Sequence, residues 1–224
     1  MQAYDWNFSV LLPFAGAFLR GTGITILLSL LSFFAGTILG TVLGAALRSA
    51  TGSGWYFLIN DCVRAVPPLV LLFMVYYFPT TALLGLPSLS PFWASVIAFT
   101  IAQAAYSADL TRSAINQVPR NVIDGGLAIG LRTRDLWRFV LVPDILRQML
   151  PAQIAFFIGI VRLSNLAAVI GCPDVVFVGR IVSSQAYRSL EPWVLIAVIY
   201  IVLVVPLTVL LRELERSPWL RRRV

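Results

Sequence analysis

The stretch ITILLSLLSFFAGTILGTVLGAAL, residues Ile24–Leu47, decides the fold class, because it runs for 24 residues without a charged side chain. A helix needs about 20 mostly apolar residues to cross the hydrocarbon core of a bilayer. The whole chain has the same bias, since its 224 residues are 59% hydrophobic and only 12% charged, whereas soluble domains are about 25% charged. The sequence therefore predicts an integral membrane protein.

Four further segments are long and apolar enough to be membrane spans. They are Phe57–Phe78, Phe92–Leu110, Leu150–Cys172 and Trp193–Leu211. The adjacent Pro67 and Pro68 interrupt the first of these four, and we expect a kink there because proline lacks the backbone N–H that a helix needs. The sequence thus predicts an all-α integral membrane protein with five transmembrane helices, forming a single domain over residues 1–224.

The arginines set the expected orientation, because loops rich in arginine stay on the cytoplasmic side. All 17 basic residues are arginine; with the N-terminus outside, twelve fall in cytoplasmic segments and three in outer ones. We therefore expect an outer N-terminus and a cytoplasmic C-terminus, with Arg221–Arg223 anchored at the anionic inner leaflet. Met1–Leu19 carries Asp5 and no basic residue, so we do not expect it to be a signal peptide.

The composition argues against a catalytic or metal site. The chain has no histidine, which is the commonest metal ligand and general base. Its two cysteines, Cys62 and Cys172, are too far apart in sequence to form a metal-binding pair. The sequence contains no close pair of intramembrane carboxylates, no activated nucleophile and no phosphate loop of the Walker A type. We expect no catalytic residue, no metal and no cofactor bound by this chain.

The connection between the third and fourth predicted spans, residues 111–149, is much longer than two neighbouring helices need. Its apolar residues recur at helical spacing among charged ones, as at Leu127, Leu131 and Leu136 with Arg132 and Asp135 between them. We expect one or two short amphipathic helices on the inner face of the membrane. Such helices can present a surface to a cytoplasmic partner.

Several sequence blocks resemble those of a known family. The stretch Asp124-Gly125-Gly126-x-x-x-Gly130, followed by Pro143, resembles the Glu-Ala-Ala-x-x-x-Gly signature of ABC-importer permeases. The blocks Ala104–Asp109 (AAYSAD) and Arg64–Pro67 (RAVP) are similar to Ala-Ala-Tyr-x-Ala-Glu and Arg-Gly-Thr-Pro in the polar amino-acid branch. The chain is therefore identified as a member of the type I ABC-importer permeases for histidine, glutamate, glutamine and general L-amino acids.

This resemblance implies a permease subunit of an ATP-driven amino-acid importer in the bacterial inner membrane. Two permeases then form the pore, and an extracytoplasmic solute-binding protein delivers the substrate. A separate ATPase dimer holds ATP and Mg²⁺. The sequence leaves open whether the second permease is identical or homologous to this one, and an ATP-independent membrane channel is the alternative function.

In the family the signature loop forms a coupling helix that docks on the ATPase. The resemblance implies such a helix over roughly Asn121–Arg134, with Gly130 at the turn that ends it. Gly125 and Gly126 stand where the family has alanine, and because each costs about 1 kcal/mol inside a helix we expect a looser helix or a later start. A helix that only lies on lipid is the alternative. The residues assigned to docking are Asp124, Gly125, Gly126, Leu127, Gly130, Leu131 and Arg132.

The fourth span contains Arg162-Leu163-Ser164-Asn165-Leu166, which resembles the family's Lys-Asp/Asn-Thr/Ser-Ser-Leu stretch near the substrate path. Leu163 stands where permeases for cationic amino acids have an acid, so the sequence favours a neutral or acidic amino acid as the substrate. An arginine at this depth can bind a carboxylate through two hydrogen bonds, or it can be satisfied by backbone carbonyls, Asp61 or Asp109. The expected pathway residues are Arg162, Ser164, Asn165, Gln103 and Tyr106.

Two further patterns predict structure inside the membrane. Asp61 and Arg64 lie three residues apart, on one helix face, and we expect them to pair next to the break at Pro67. The glycines Gly36, Gly40 and Gly44 recur every four residues, which predicts a stripe where another helix packs closely.

Overall fold

The computed structural model describes residues 4–46, 54–85 and 87–217, and these ranges contain helices and no strand. A 3₁₀ segment at Phe8–Phe14 precedes helix α1. The helices are α1 (Ala15–Ala46), α2 (Gly54–Ala65), α3 (Pro68–Tyr76), α4 (Thr80–Leu84), α5 (Pro91–Asn116), α6 (Arg120–Ala128), α7 (Thr133–Leu136), α8 (Val142–Leu163), α9 (Val175–Gln185) and α10 (Leu190–Arg216). A π-helical turn, Trp137–Leu141, joins α7 to α8, and a 3₁₀ segment, Ser164–Ile170, follows α8.

Three helical stretches are long and apolar enough to cross a bilayer: Phe8–Ala46, Thr133–Ile170 and Leu190–Arg216. A bent pair, Leu58–Ala65 with Pro68–Tyr76, meets the same criterion when its two helices are taken together. Helix α5 has the length but not the hydropathy, because polar residues such as Gln103 lie along it. The described part of the chain therefore has a membrane-type helical fold with three clear apolar spans.

Helix α1 packs along α5 in the most extensive helix–helix contact of the described residues, and the glycine stripe makes this contact possible. A Cβ atom added at Gly36 would lie 2.5 Å from Cβ of Gln103. At Gly40 and Gly44 it would overlap the backbone carbonyl oxygens of Ala104 and Ala108. The predicted packing role of the three glycines is confirmed.

We predict that Gly40→Ala lowers the stability of the protein by about 1–3 kcal/mol, because a backbone carbonyl cannot move aside as a flexible side chain can. Gly23→Ala is the matched control, since Gly23 lies on the exposed side of the same helix with nothing within 4 Å of an added Cβ. Thermal unfolding of both purified variants in mild detergent measures the difference. Equal midpoints for the two variants would contradict the close approach.

The kink expected at the two prolines is confirmed. Helix α2 ends at Ala65 and α3 begins at Pro68, with Pro67 in an extended conformation between them (φ −56°, ψ 137°). The two helix axes differ by 99°. A bend this large makes the pair either one broken span or a re-entrant turn, and it places α3 against α5.

The helices extend beyond the apolar blocks from which the spans were predicted. Helix α1 begins at Ala15 rather than at Ile24, so Arg20, which was counted among the three outer arginines, lies within a helix. Helix α5 continues to Asn116 and α8 begins at Val142, so both extend into the connection predicted over residues 111–149. The predicted inner end of the first span, Leu47 with Arg48, and the anchor Arg221–Arg223 lie outside the described residues.

Buried polar groups fix α9 against α1. The side chain of Asp174 caps α9, since its Oδ1 accepts a hydrogen bond of 2.8 Å from the backbone N–H of Phe177. The backbone N–H of Val175, the first residue of α9, donates to Oγ1 of Thr25 on α1. Burial raises the pKa of Asp174 to about 6. Gly21 permits this approach, because an added Cβ would lie 3.0 Å from the carbonyl oxygen of Asp174.

A second polar contact ties the N-terminal segment to the start of α10. Glu191 is fully buried, and its carboxylate accepts hydrogen bonds from Tyr4 Oη at 2.6 Å and from the backbone N–H of Asn7 at 3.2 Å. Arg188 lies 3.4 Å from the same carboxylate and also donates to the carbonyl oxygen of Asp5. These contacts hold the beginning of the chain beside α9 and α10.

Candidate coupling segment and translocation pathway

Helix α6 occupies the predicted coupling segment, but it ends at Ala128 rather than at Arg134. Gly130 follows with a φ of +86°, the left-handed conformation that glycine adopts without strain. The N–H of Gly130 donates to the carbonyl of Leu127 and that of Leu131 to Gly126, which is the Schellman arrangement. Gly130 therefore does stand at the turn that ends the helix, and α7 starts separately at Thr133.

Side-chain exposure divides the residues that were assigned to docking. Leu127 is 46% exposed, and its neighbour Ile129, which the sequence analysis did not select, is 79% exposed. Leu131 is instead half-buried and packs against the cluster around Leu136 and Ile145. Asp124, Gly125, Gly130 and Arg132 are exposed, and Gly126 is half-buried. The exposed large apolar side chains of this segment are therefore Leu127 and Ile129.

Gly126 has a packing role that the sequence did not predict. An added Cβ there would lie 2.5 Å from Cδ1 of Leu136, whose side chain is only 1% exposed. Gly125 has nothing within 4 Å of an added Cβ. Both glycines lie inside α6, which begins at Arg120, so the later start expected for this helix was wrong.

We predict opposite effects of alanine at these two glycines. Gly125→Ala should keep or raise stability by up to about 1 kcal/mol, because alanine favours the helix. Gly126→Ala should destabilise the contact between α6 and α7, because Cδ1 of Leu136 would have to shift within the buried cluster in which Leu136 is packed. Limited proteolysis between Asn116 and Thr133 reports on this segment directly. A cleavage rate that rises equally in both variants would contradict the packing role of Gly126.

A cavity of about 220 Å³ lies where α3, α5 and α8 meet, and we call it the Tyr106 cavity. Its ten lining residues are Pro68, Phe99, Ala102, Gln103, Tyr106, Ala155, Phe156, Gly159, Ile160 and Leu163. None of these ten is charged. Gln103 and Tyr106, two predicted pathway residues, thus share a cavity with Leu163.

Arg162 and Asn165 face a different cavity, of about 390 Å³, between the end of α8 and α10. Tyr200 lines the same cavity. Arg162 is exposed, and among the described residues it has no hydrogen bond or ion pair. Ser164 is buried between the helices, where its Oγ donates to the carbonyl of Val161 at 2.8 Å and lies 3.5 Å from Tyr200 Oη. The five predicted pathway residues therefore do not converge on one cavity within this chain.

Gln103 belongs to a buried polar cluster that links three helices. Its Nε2 atom donates to Oγ of Ser107 at 3.0 Å and to Oε1 of Gln153 on α8 at 3.2 Å. The same Nε2 atom is 3.2 Å from Oγ1 of Thr37 on α1. The sequence analysis missed Thr37, Ser107 and Gln153. A lone amide such as Gln153 in an apolar segment was the signal that could have identified this cluster.

The predicted pair of Asp61 and Arg64 exists, with 3.7 Å between Oδ1 and Nη1. Arg64 makes a shorter contact, 2.9 Å, with Oδ2 of Asp109 on α5. Both acids that were considered as partners for Arg162 thus contact Arg64. Sequence spacing predicted the contact within α2, whereas the contact with α5 depends on tertiary structure.

Apolar spans around a buried polar core define a helical membrane protein, and comparison with known proteins identifies its family. Residues 33–219 match the family described as the inner membrane component of binding-protein-dependent transport systems. The chain belongs to this family. Its members are transport permeases rather than catalytic enzymes, and their description states that they work with a binding protein.

Individual relatives match over nearly the whole length. The chain is 29% identical over 218 residues to the glutamine transport system permease protein GlnP of Escherichia coli (strain K12), covering 95% of this chain and 97% of the relative. It is 30% identical over 214 residues to the arginine transport system permease protein ArtQ of Bacillus subtilis (strain 168), covering 94% and 96%. A crystal structure of an amino acid ABC transporter with histidines matches with a TM-score of 0.82 at 25% identity, covering 95% of this chain and 99% of that chain.

Proposed function

We propose that this chain is the permease subunit of an ATP-driven amino-acid importer and forms half of its translocation pore. Family membership carries the transport function, and the relatives for glutamine and arginine support amino acids as the substrate class. The exposed Leu127 and Ile129 on the coupling segment support a separate ATPase as the energy source. ATP-driven movement of that segment would open the pore alternately to the two sides of the membrane.

The proposed topology has five spans within a single domain, residues 1–224, with the N-terminus outside and the C-terminus in the cytoplasm. Helix α5 is the span whose polarity needs an explanation. Its polar residues Ser95, Gln103, Ser107 and Thr111 are buried against α1, α3 and α8, so lipid does not contact them. The bent pair of α2 and α3 supplies the remaining span. The described inner segments are rich in arginine, which supports this orientation.

The proposed assembly is centred on a pore in a bacterial inner membrane. A second permease, identical or homologous, completes the pore, and two ATPase subunits bind the two coupling segments and hold ATP and Mg²⁺. A solute-binding protein delivers the amino acid from outside. This chain itself binds no metal or cofactor.

The docking proposal predicts that Leu127→Asp combined with Ile129→Asp abolishes co-purification of the ATPase, because two exposed apolar contacts become charged. Leu131 is left unchanged since it packs inside the fold. Asn121→Asp is the control for charge alone, because it adds one negative charge at an exposed position of α6 without removing an apolar side chain. A pull-down from native membranes in mild detergent, with subunits identified by mass, gives the result.

Two outcomes would argue against docking at this surface. If the ATPase remains bound to the double variant, another surface holds it. If wild-type protein extracts alone, with no ATPase after gentle solubilisation, the ATP-independent channel becomes the better function. Uptake that persists without ATP would support the same conclusion.

The substrate proposal is a neutral or acidic polar L-amino acid. The Tyr106 cavity offers an amide and a phenol as polar groups and no carboxylate that could pair with a cationic side chain. Arg162 and Asn165, in the neighbouring cavity, can bind a substrate carboxylate after the amino acid moves along α8. Arg162, Ser164, Asn165, Gln103 and Tyr106 remain the proposed pathway residues.

We predict that Leu163→Asp shifts selectivity toward cationic amino acids, because it places a carboxylate in the wall of the Tyr106 cavity. Wild type should take up L-glutamine or L-glutamate in preference to L-arginine, and the variant should raise the relative uptake of L-arginine about tenfold, as a charged hydrogen bond gained would give. Leu163→Asn is the control of equal size without charge. Competition uptake in proteoliposomes containing the complete importer measures the ratio, and identical ratios for the two variants would contradict a role of this cavity in selectivity.

A further inference from the structure

Arg64 makes contacts on three sides in the last turn of α2. Its Nη1 atom lies 2.9 Å from Oδ2 of Asp109 on α5 and 3.7 Å from Oδ1 of Asp61 on its own helix. Its Cζ atom lies 5.2 Å from the ring centroid of Tyr106, one turn before Asp109 on α5. The guanidinium therefore pairs with one acid from each helix and covers an aromatic ring.

That ring forms part of the wall of the Tyr106 cavity. Its other neighbour is Phe156 of α8, with 5.6 Å between the ring centroids. Tyr106 thus lies among Arg64, Phe156 and the cavity, and it is 39% exposed. A cation that lies over the face of an aromatic ring is attracted to the ring electrostatically, and this attraction is stronger where water is scarce.

Asp61 and Asp109 differ in the helices that their contacts with Arg64 can join. Asp61 and Arg64 belong to the same helix and move as one body, so their contact cannot join α2 to another element. Asp109 is on α5, and its contact with Arg64 joins α5 to α2 one turn before α2 gives way to the break at Pro67. Pro68, on the other side of this break, lines the cavity. Asp61 is also more exposed, with 71% of its side chain accessible against 40% for Asp109.

We propose that Asp109 is a positioning residue for transport: it holds Arg64 over Tyr106 and so fixes the aromatic wall of the Tyr106 cavity. Its importance for substrate affinity rests on the function proposed above, whereas its effect on the cavity wall does not. Without the Asp109 carboxylate, the ion pair that remains to Arg64 is the longer one, with Asp61 of its own helix. The Tyr106 ring then loses its cover on one side and turns between rotamers, which opens the cavity.

The test compares Asp109→Asn with Asp61→Asn, which remove the two partners of one guanidinium one at a time. Leu163→Cys places a thiol in the cavity wall, and Cys62→Ser removes the exposed native thiol from the background. The rate of labelling by N-ethylmaleimide is measured on the complete importer in proteoliposomes. We expect Asp109→Asn to raise this rate at least about fivefold, the lower range of coupling between sites, and Asp61→Asn to leave it unchanged.

Two further variants separate positioning from loss of folding. Asp109→Glu keeps the charge and should label as the unsubstituted background does. Arg64→Lys keeps the ion pair but lacks the flat guanidinium face, so it should assemble normally and still raise the labelling rate. If Arg64→Lys labels as the background does, the cover over Tyr106 is not what fixes the wall, and the proposal is overturned.

Uptake of L-glutamine and L-glutamate, without the cysteine substitution, supplies the second readout. Asp109→Asn should raise KM with little change in maximal rate, because the wall contacts substrate while the driving ATPase is untouched. Equal labelling rates for the two asparagine variants overturn the positioning role even if wild type transports both amino acids. Unequal labelling rates with no uptake by wild type would instead support the positioning role and refute the proposed transport of these substrates.

Discussion

The fold depends on one constraint: helix α5 carries polar side chains along its length and is enclosed by other helices, which bury them. The glycine stripe of α1 meets this requirement on one side, because the absence of side chains at Gly36, Gly40 and Gly44 brings backbone against backbone. Helices α3 and α8 enclose it on other sides. Polar groups that lipid would reject can then hydrogen-bond across the bundle, as Gln103 and Gln153 do.

Three consecutive helices, α6, α7 and α8, lead from the coupling segment to the wall of the Tyr106 cavity. Helix α6 rests on Leu136 of α7, and α7 continues through the π-helical turn into α8. Helix α8 carries Gln153, Phe156 and Leu163 past the polar cluster and the cavity wall. The cavity wall and the side chain on which α6 packs therefore belong to one run of helix, residues 133–163.

The sequence was sufficient for features that local chemistry determines. The apolar blocks predicted a membrane protein, the prolines the kink, the glycine spacing the close packing, and Gly130 the helix-ending turn. It did not predict how far α1, α5 and α8 extend beyond the apolar blocks, because the turns at their ends contain polar residues and lack the apolar signal. The sequence also grouped Arg162 with Gln103 in one pathway, whereas the two residues line different cavities. No local pattern shows that α8 changes to a 3₁₀ segment at Ser164, or that the adjacent Arg162 and Leu163 face different cavities. Asp109 was recognised within its sequence block, but its contact with Arg64 is tertiary.

The π-helical turn at Trp137–Leu141 sets the orientation of α7 relative to α8. Pro143, directly after this turn, has no backbone N–H to donate. In the turn itself the N–H of Val142 donates to the carbonyl of Trp137, five residues earlier, rather than to the residue four earlier as in an α-helix. This widened turn accommodates one residue more than an α-helical turn does. Each residue of an α-helix advances the chain by about 100°, so the extra residue sets the angular phase of α7 relative to α8. Leu136, the side chain of α7 on which α6 packs through Gly126, therefore faces a direction that a regular α-helix would not give it.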